Sequence, residues 1–269
     1  MDKHPMKNVL KERLRADEVA FGFQIRSTRS LDVVRAARIF GYHFLHIDLE
    51  HSTMDLEVAA RFCVACLSEG LSSVVRVPSH VGDIGCRLLD AGAQGIIVPH
   101  VHTVAQAREA VEIYRVPPFG SRSDGGSVVT GWASLSRAEK FRILNEVTFI
   151  AVMIESAEAL ANVEAIAAVE GIDAIIVGTN DLTADMGIES DGDSPRVIEA
   201  YRTVVAAARK HGKAVRLGGE YDPARVVRNI ELGARMVTVT GDERVLLNGM
   251  RSSLENVKGR LGAAMKPGA

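Results

Sequence analysis

The chain has 269 residues, 47% of them hydrophobic, which is enough to bury one barrel-sized core or two smaller ones and excludes disorder as its overall state. Its 32 Lys and Arg stand against 34 Asp and Glu, and aromatic residues make up only 5%, so nothing marks a nucleic-acid footprint and a small-molecule partner is expected. No apolar run approaches the roughly 18 residues needed to cross a bilayer, and the opening segment lacks a signal-peptide core; no membrane partner and a cytoplasmic setting are expected.

In chain order, residues 1–16 form a charged amphipathic segment, expected as a helix, followed by a first strand, Val19–Gln24. Then one unit recurs. VVRAARIFGYHFLHIDLE, GCRLLDAGAQGIIVPHV, ALANVEAIAAVEGIDAIIVGTND and PARVVRNIELGARMVTVTGD each pass from a helix-period segment through a glycine to an apolar strand with a polar end. Gly41, Gly92, Gly171 and Gly233 stand where each helix must stop, which glycine permits through its left-handed conformation. The further strands are Phe44–Asp48, Ser73–Val77, Gly95–Pro99, Thr148–Glu155, Ala174–Gly178, Ala214–Leu217 and Met236–Thr240. They are short and apolar on consecutive residues, as strands are when helices cover both faces of a parallel sheet.

Eight such strands alternating with helices argue for a single α/β domain, a (β/α)8 TIM barrel. An open doubly wound sheet is the other arrangement, but no GxGxxG follows a strand and there is no P-loop. Cys63-Val-Ala-Cys66 falls inside a helical stretch, Ala59 to Leu67, and reads as buried thiols ahead of a redox or metal pair; Cys86 makes the count odd. The Gly-rich GSRSDGGS at 120–127 leaves two readings open, a plain loop and an anion-binding or lid loop.

Barrel enzymes build their sites at the C-terminal ends of the strands. Here those ends carry Gln24, Asp48, Glu50, His51, Arg76, Pro99, Glu155, Asn180 and Asp181, far more charge than a packed barrel requires. Singly each has a plain alternative: Asp181 could cap a helix, Glu155 could open one, and Arg76 could pair with any nearby acid. Jointly they suggest chemistry. Glu155 and Asp181, from different strands, offer the hard oxygen ligands that Mg2+ or Mn2+ take. His51, with Asp48 orienting its ring, would be a general base; Arg76 would meet an oxyanion. Together these describe removal of a proton next to a carbonyl.

FLHIDLEHSTMDL, VVRVP, LLDAGAQGIIVPHV, PPFGSR, MIES and GTNDLTADMG, in this order and spacing, resemble the HpcH/HpaI family of class II pyruvate aldolases over roughly residues 17 to 257. The resemblance implies a barrel of the phosphoenolpyruvate/pyruvate type and a divalent metal, Mg2+ or Mn2+ with Co2+ also accepted. It further implies cleavage or formation of a 4-hydroxy-2-oxo acid, from pyruvate or another 2-oxo acid and an aldehyde, through a metal-bound pyruvate enolate, in pathways such as aromatic compound catabolism. By position, the metal ligands fall on Glu155 and Asp181, the His-Asp dyad on His51 and Asp48, and the enolate-stabilising arginine on Arg76. Asp90 matches an acid that reaches a neighbouring subunit's site, and the resemblance implies a homo-oligomer, hexamer or trimer, with the last helix, about 243–257, exchanged between barrels. Backbone amides near GTND would hold the pyruvate carboxylate.

The chain departs from that family at three places, all on the substrate side. Met153 stands where Gln is common and lacks its hydrogen bonds. Thr179 and Asn180 replace Pro and Ala beside the metal ligand Asp181. AVRLGGEYD brings Arg216 and Glu220 to the expected aldehyde side, with Arg216 either gripping a carboxylate tail or forming a surface pair. Three readings of function follow: an aldolase; related enolate chemistry, as an oxaloacetate-type decarboxylase or a citrate-lyase-like CoA-thioester lyase; or a barrel that binds metal and a 2-oxo acid without turnover.

Overall fold

The structure, a computed structural model, describes residues 7–79, 82–125, 128–188, 193–219 and 221–261. In chain order the elements are α1 (Val9–Arg15), β1 (Ala20–Ile25), α2 (Asp32–Ile39), β2 (Phe44–Asp48), α3 (Leu56–Glu69), β3 (Ser72–Arg76), α4 (Asp83–Asp90), β4 (Gly95–Val98) and α5 (Val104–Tyr114). Then come α6 (Arg137–Val147), β5 (Phe149–Ile154), α7 (Ala157–Ala161), α8 (Val163–Ala167), β6 (Ala174–Val177), α9 (Thr179–Asp185), α10 (Pro195–Lys210), β7 (Ala214–Leu217), α11 (Pro223–Leu232), β8 (Met236–Gly241) and α12 (Asp242–Leu261).

The eight strands run parallel in the order β7-β6-β5-β4-β3-β2-β1-β8. The Arg235 N–H donates to the Val215 carbonyl (3.0 Å) across the seam between β7 and β8, which all but closes the sheet into a (β/α)8 barrel. Side chains alternate along each strand. One set fills the barrel interior (Phe44, Val74, Ile97, Phe149, Ala151, Ile176, Met236); the other packs beneath the helices in a larger core (Ile25, Ile47, Val75, Ile96, Val152, Ile175). Consecutive apolar residues therefore all find a buried face.

Local chemistry sets the ends of the helices. Asp55 accepts from Val58 N at 2.8 Å to start α3, and capping boxes Thr103/Gln106 and Ser136/Glu139 start α5 and α6. All four expected stop glycines have φ between 88° and 127°. Cys63 and Cys66 lie buried and unpaired in α3, with burial pushing the Cys63 thiol up to about 12.

The expected N-terminal helix begins at Val9, because Asn8 caps it through Lys11 N; residues 1–6 lie outside the described residues. The Asn8 amide also donates to the carbonyls of Gln94 (3.0 Å) and Val147 (2.7 Å), and Leu10 is fully buried, so α1 plugs the barrel where the strands begin. The lid reading of residues 120–127 is overturned for this chain's own site: the described part of that segment connects α5 to α6, at the end where strands start, and Gly125 lies against Asp90. No helix among the described residues is long and apolar enough to cross a membrane.

Candidate active site

The ends of β2, β3, β5 and β6 converge on a cavity of about 240 Å3 lined by Arg76, His51, Met153, Asn180, Asp181 and Arg216 among others. Depressions of about 700 and 770 Å3 lie elsewhere, near α1 and α6 and between α2 and α3, away from the strand ends that carry the charge. The small cavity is below the ~300–1,000 Å3 of pockets for drug-sized ligands, and suits a small acid.

Asp48 is the organising group. Its side chain is completely buried and accepts from Arg76 Nε (3.0 Å) and Nη2 (2.6 Å), with Arg26 Nε at 3.4 Å and Gln24 Nε2 at 3.3 Å. Burial alone would raise its pKa, but the Arg76 hydrogen bonds and charge outweigh this and hold the carboxyl well below the usual carboxylate range. Arg76 Nη1 also reaches Glu50 Oε2 at 2.9 Å, so three carboxylate oxygens fix the guanidinium.

The expected contact between Asp48 and the His51 ring is not formed. Asp48 Oδ1 instead accepts from the backbone N–H groups of Glu50 (3.1 Å) and His51 (3.2 Å). The bidentate pairing with Arg76 takes up the carboxylate, since two parallel charge-assisted bonds outcompete one imidazole N–H. The His51 side chain is 54% exposed with Nε2 3.9 Å from Glu50 Oε2, while its carbonyl accepts from Arg26 Nη2 at 2.8 Å. The backbone of this loop is pinned and its imidazole faces the cavity.

Glu155 follows β5 and is 4% exposed. It does not open α7, because Ser156 accepts from Ala159 N there; nor does Asp181 cap α9, whose N-cap is Gly178. Burial raises the Glu155 pKa; the His100 N–H and ring oppose that, while the charges of Asp181 and Glu50 add to it. A Cβ on Gly178 would lie 2.4 Å from Glu155 Oε2, so a glycine leaves this carboxylate its room. Among the described residues no three His, Cys, Asp or Glu side chains form a ready metal cage. The donor set instead offers two hard carboxylates, Glu155 and Asp181, with Glu50 near, in mutual repulsion that a divalent cation would relieve; the residues fit Mg2+ or Mn2+ with positions left for water or substrate.

His100 was not singled out by sequence reasoning, although it directly follows the apolar strand in IIVPHV. It has φ 55°, its N–H donates to Glu155 Oε1 at 2.6 Å, and its ring nitrogens lie 3.1 Å from Glu155 and 2.7 Å from Glu50. Tyr221 was missed too; its hydroxyl donates to Gln24 Oε1 at 2.8 Å, which turns the Gln24 amide toward Asp48. His46 lies two residues before Asp48 on β2, and that spacing was the available signal for an inward side chain.

The substrate-side residues divide. The Thr179 hydroxyl pairs with Tyr201 Oη at 2.6 Å, tying α9 to α10, and Asn180 is exposed at the rim. Met153 is buried in the barrel beside Ile176 and Gly178. Arg216 is 6% exposed in the barrel interior, which overturns its reading as a surface pair; Glu220 lies outside the described residues. Asp90 ends α4 at the opposite end of the barrel and does not enter this chain's own site.

The HpcH/HpaI aldolase/citrate lyase pattern matches residues 27–247. Over 248 residues the chain is 37% identical to a 4-hydroxy-4-methyl-2-oxoglutarate aldolase from Hapsidospora irregularis, covering 90% of this chain and 92% of that one. Over 252 residues it is 32% identical to a hydroxypyruvate/pyruvate aldolase from Pseudomonas aeruginosa, covering 94% and 93%. Among solved structures it is similar to an HpcH/HpaI aldolase from Desulfitobacterium hafniense DCB-2, with a TM-score of 0.89, 31% identity, and coverage of 93% of this chain and 97% of that one. With the barrel, the carboxylate pair and the arginine clamp at its strand ends, these likenesses show that the chain is a lyase of the aldolase kind and belongs to the HpcH/HpaI aldolase/citrate lyase family.

Proposed function

We propose that the protein is a divalent-metal-dependent aldolase that cleaves or forms a 4-hydroxy-2-oxo acid, with pyruvate as the half that becomes an enolate and an aldehyde or other carbonyl compound as the other half. The observation that carries this is a cavity lined by Asp181 and by an arginine that Asp48 and Glu50 hold in place, with the Glu155 carboxylate near enough to Asp181 for their charges to repel. The 2-oxo acids in the relatives' names support the same half-reaction.

A divalent cation on Glu155 and Asp181 would supply Lewis-acid polarisation of the 2-oxo group. Arg76, fixed by its two carboxylates, presents its remaining N–H groups to the oxygen on which negative charge grows. His51, whose imidazole faces the cavity, takes the proton of the C4 hydroxyl in cleavage. The C3–C4 bond then breaks and its electron pair passes into the enolate of pyruvate, which recovers a proton at C3. Glu50 and His100 hold Arg76 and Glu155 in register for this sequence.

The setting is cytoplasmic in this reading, supported by three free cysteines, and the enzyme is a homo-oligomer to which Asp90 and α12 contribute contacts between copies.

The test is exchange of the pyruvate methyl protons in D2O, followed by NMR with Mg2+ or Mn2+. Metal-dependent exchange is expected. Glu155→Ala should abolish it, and Arg76→Ala should slow it by about two to three orders of magnitude, the usual loss when an oxyanion donor is removed. No exchange by protein shown to bind the metal would sink the enolate reading.

A further inference from the structure

Among the described residues, three that are not glycine have a positive φ: Asp17, His100 and Trp132. Asp17 and Trp132 are exposed, in the connections that lead into β1 and α6, away from the ends where strands finish. His100 is placed differently. It stands two residues past β4, on the way to α5, and its φ is 55°. A residue with a Cβ keeps this left-handed conformation only where its surroundings hold it.

Both sides of His100 are fixed. Upstream, Pro99 is buried and its ring sets its own φ; downstream, Thr103 and Gln106 form the capping box of α5. The imidazole is clamped by another part of the barrel, with Nε2 2.7 Å from Glu50 Oε1, and Glu50 Oε2 lies in turn 2.9 Å from Arg76 Nη1. Between these anchors the φ of residue 100 decides where its own N–H points, and at 55° the N–H donates to Glu155 Oε1 at 2.6 Å. A residue barred from positive φ would have to turn the 99–100 peptide to keep the chain on course to α5. Its N–H would then leave Glu155.

The two oxygens of Glu155 are thus unlike. Oε1 takes the His100 N–H, with ring Nδ1 3.1 Å away. Oε2 lies on the β6 side, where Gly178 gives it room and Asp181 follows within one turn of chain. A ligand carboxylate is oriented by the groups that bond its other oxygen, so Glu155 offers a cation one oxygen in place of two. That distinguishes between cations of equal charge. Mg2+ is small and asks for near-ideal octahedral geometry, whereas Ca2+ takes about six to eight oxygens and accepts both oxygens of one carboxylate.

We infer that His100 is a positioning residue of the cation site, and that its left-handed backbone, by engaging Oε1, makes Glu155 a one-oxygen ligand and so sets a preference for Mg2+ over Ca2+. The His100 ring holds that backbone in place and is not itself a ligand. This rests on the metal-dependent reading above, but it is measured on cation binding without substrate.

Dissolved Mn2+ gives an electron paramagnetic resonance signal that fades on binding. In the test, Mn2+ is titrated into the full chain until the site is loaded, and Mg2+ or Ca2+ is then added to displace it. The wild type is expected to favour Mg2+ over Ca2+ by about tenfold or more, the scale on which the partners of ligand carboxylates act. His100→Gly loses the ring but takes positive φ freely, and should keep most of that ratio. In His100→Val, whose branched side chain makes this φ a genuine outlier, the ratio should fall toward one. A wild-type ratio near one overturns the inference even where no variant folds, and so does a high ratio that persists in His100→Val. A ratio lost equally in His100→Gly and His100→Val also overturns it, since the effect would then belong to the imidazole and not to the backbone. A wild type that takes up no Mn2+ is a different failure: it sinks the reading of Glu155 and Asp181 as metal ligands, and this inference with it.

Discussion

One buried carboxylate, Asp48, orders the residues around it. Its oxygens set Arg76, draw in Arg26 and Gln24, and hold the backbone of Glu50 and His51. Asp48→Asn keeps the shape but removes one of the two carboxylates on Arg76, leaving Glu50 as its remaining anionic partner, and the loss of these charge-assisted hydrogen bonds costs about 1.5–3 kcal/mol. The same variant should lower turnover by loosening Arg76, while leaving Glu155 and Asp181 in place for the metal. Because folding depresses the Asp48 pKa, the unfolded chain binds the proton more readily. The stabilisation is therefore complete above the ordinary carboxylate pKa of about 4 and is lost as pH falls through the lower folded value. Urea unfolding across acid pH checks the sign: the gap between wild type and Asp48→Asn should be level near neutrality and close as the solution is acidified below about pH 4. A gap that widens with acid would show that Asp48 is not the depressed group.

At the scale of elements, β1 and β2 show how closely the interior is fitted. Gly22 pairs with Phe44 across the ladder, and a Cβ on Gly22 would lie 2.2 Å from Phe44 Cζ, a fully buried ring in the barrel interior. Gly22→Ala should cost about 1–3 kcal/mol by overpacking, and Phe44→Leu in that background should recover part of it, a non-additivity readable from unfolding midpoints. Elements of this kind were legible in the sequence. The helix, glycine and strand unit sets β2 to the residue, at Phe44–Asp48, and the short apolar run read on its own sets β7, at Ala214–Leu217, because an apolar run flanked by stop signals has few other places to go. Pairing across strands was not legible. Period-two alternation points Asp48, Arg76 and Glu155 inward, but nothing along the chain says that Asp48 takes the Arg76 fork in preference to the His51 ring, or that His100 bridges Glu50 and Glu155. Those choices depend on register between strands and on which partner offers two hydrogen bonds. Arg216 Nη1 lies 3.1 Å from His46 Nδ1, a contact between residues 170 positions apart that was hidden for the same reason.

At the scale of the whole molecule, α12 is a helix in search of a surface. Its 20 residues extend about 30 Å, none of them is buried, and only its first residues tie back to the barrel, through Asp242 and Glu243 to the segment Arg26–Thr28. Leu247, Met250, Leu254, Val257 and Leu261 are each 44–61% exposed and fall at alternating spacings of three and four, the stripe by which one helix packs against another. Burying a leucine completely is worth about 1.5–3 kcal/mol, so a stripe of this length left in water would forgo much of the stability a domain has. The resemblance implied a last helix exchanged between barrels, and the stripe supports a second copy of the chain as what covers it. Sedimentation velocity checks this: the wild type should run as an assembly, and Leu247→Lys with Leu254→Lys should shift it toward monomer. The helix lies next to the site as well, since Arg26, which Glu243 holds, also contacts Asp48 and the His51 carbonyl, and Arg244 stacks over Tyr221 at 4.9 Å. Dissociation should therefore lower turnover together with size. A double variant that runs as monomer with full activity would separate assembly from catalysis, and a monomeric wild type would leave the stripe to some other partner.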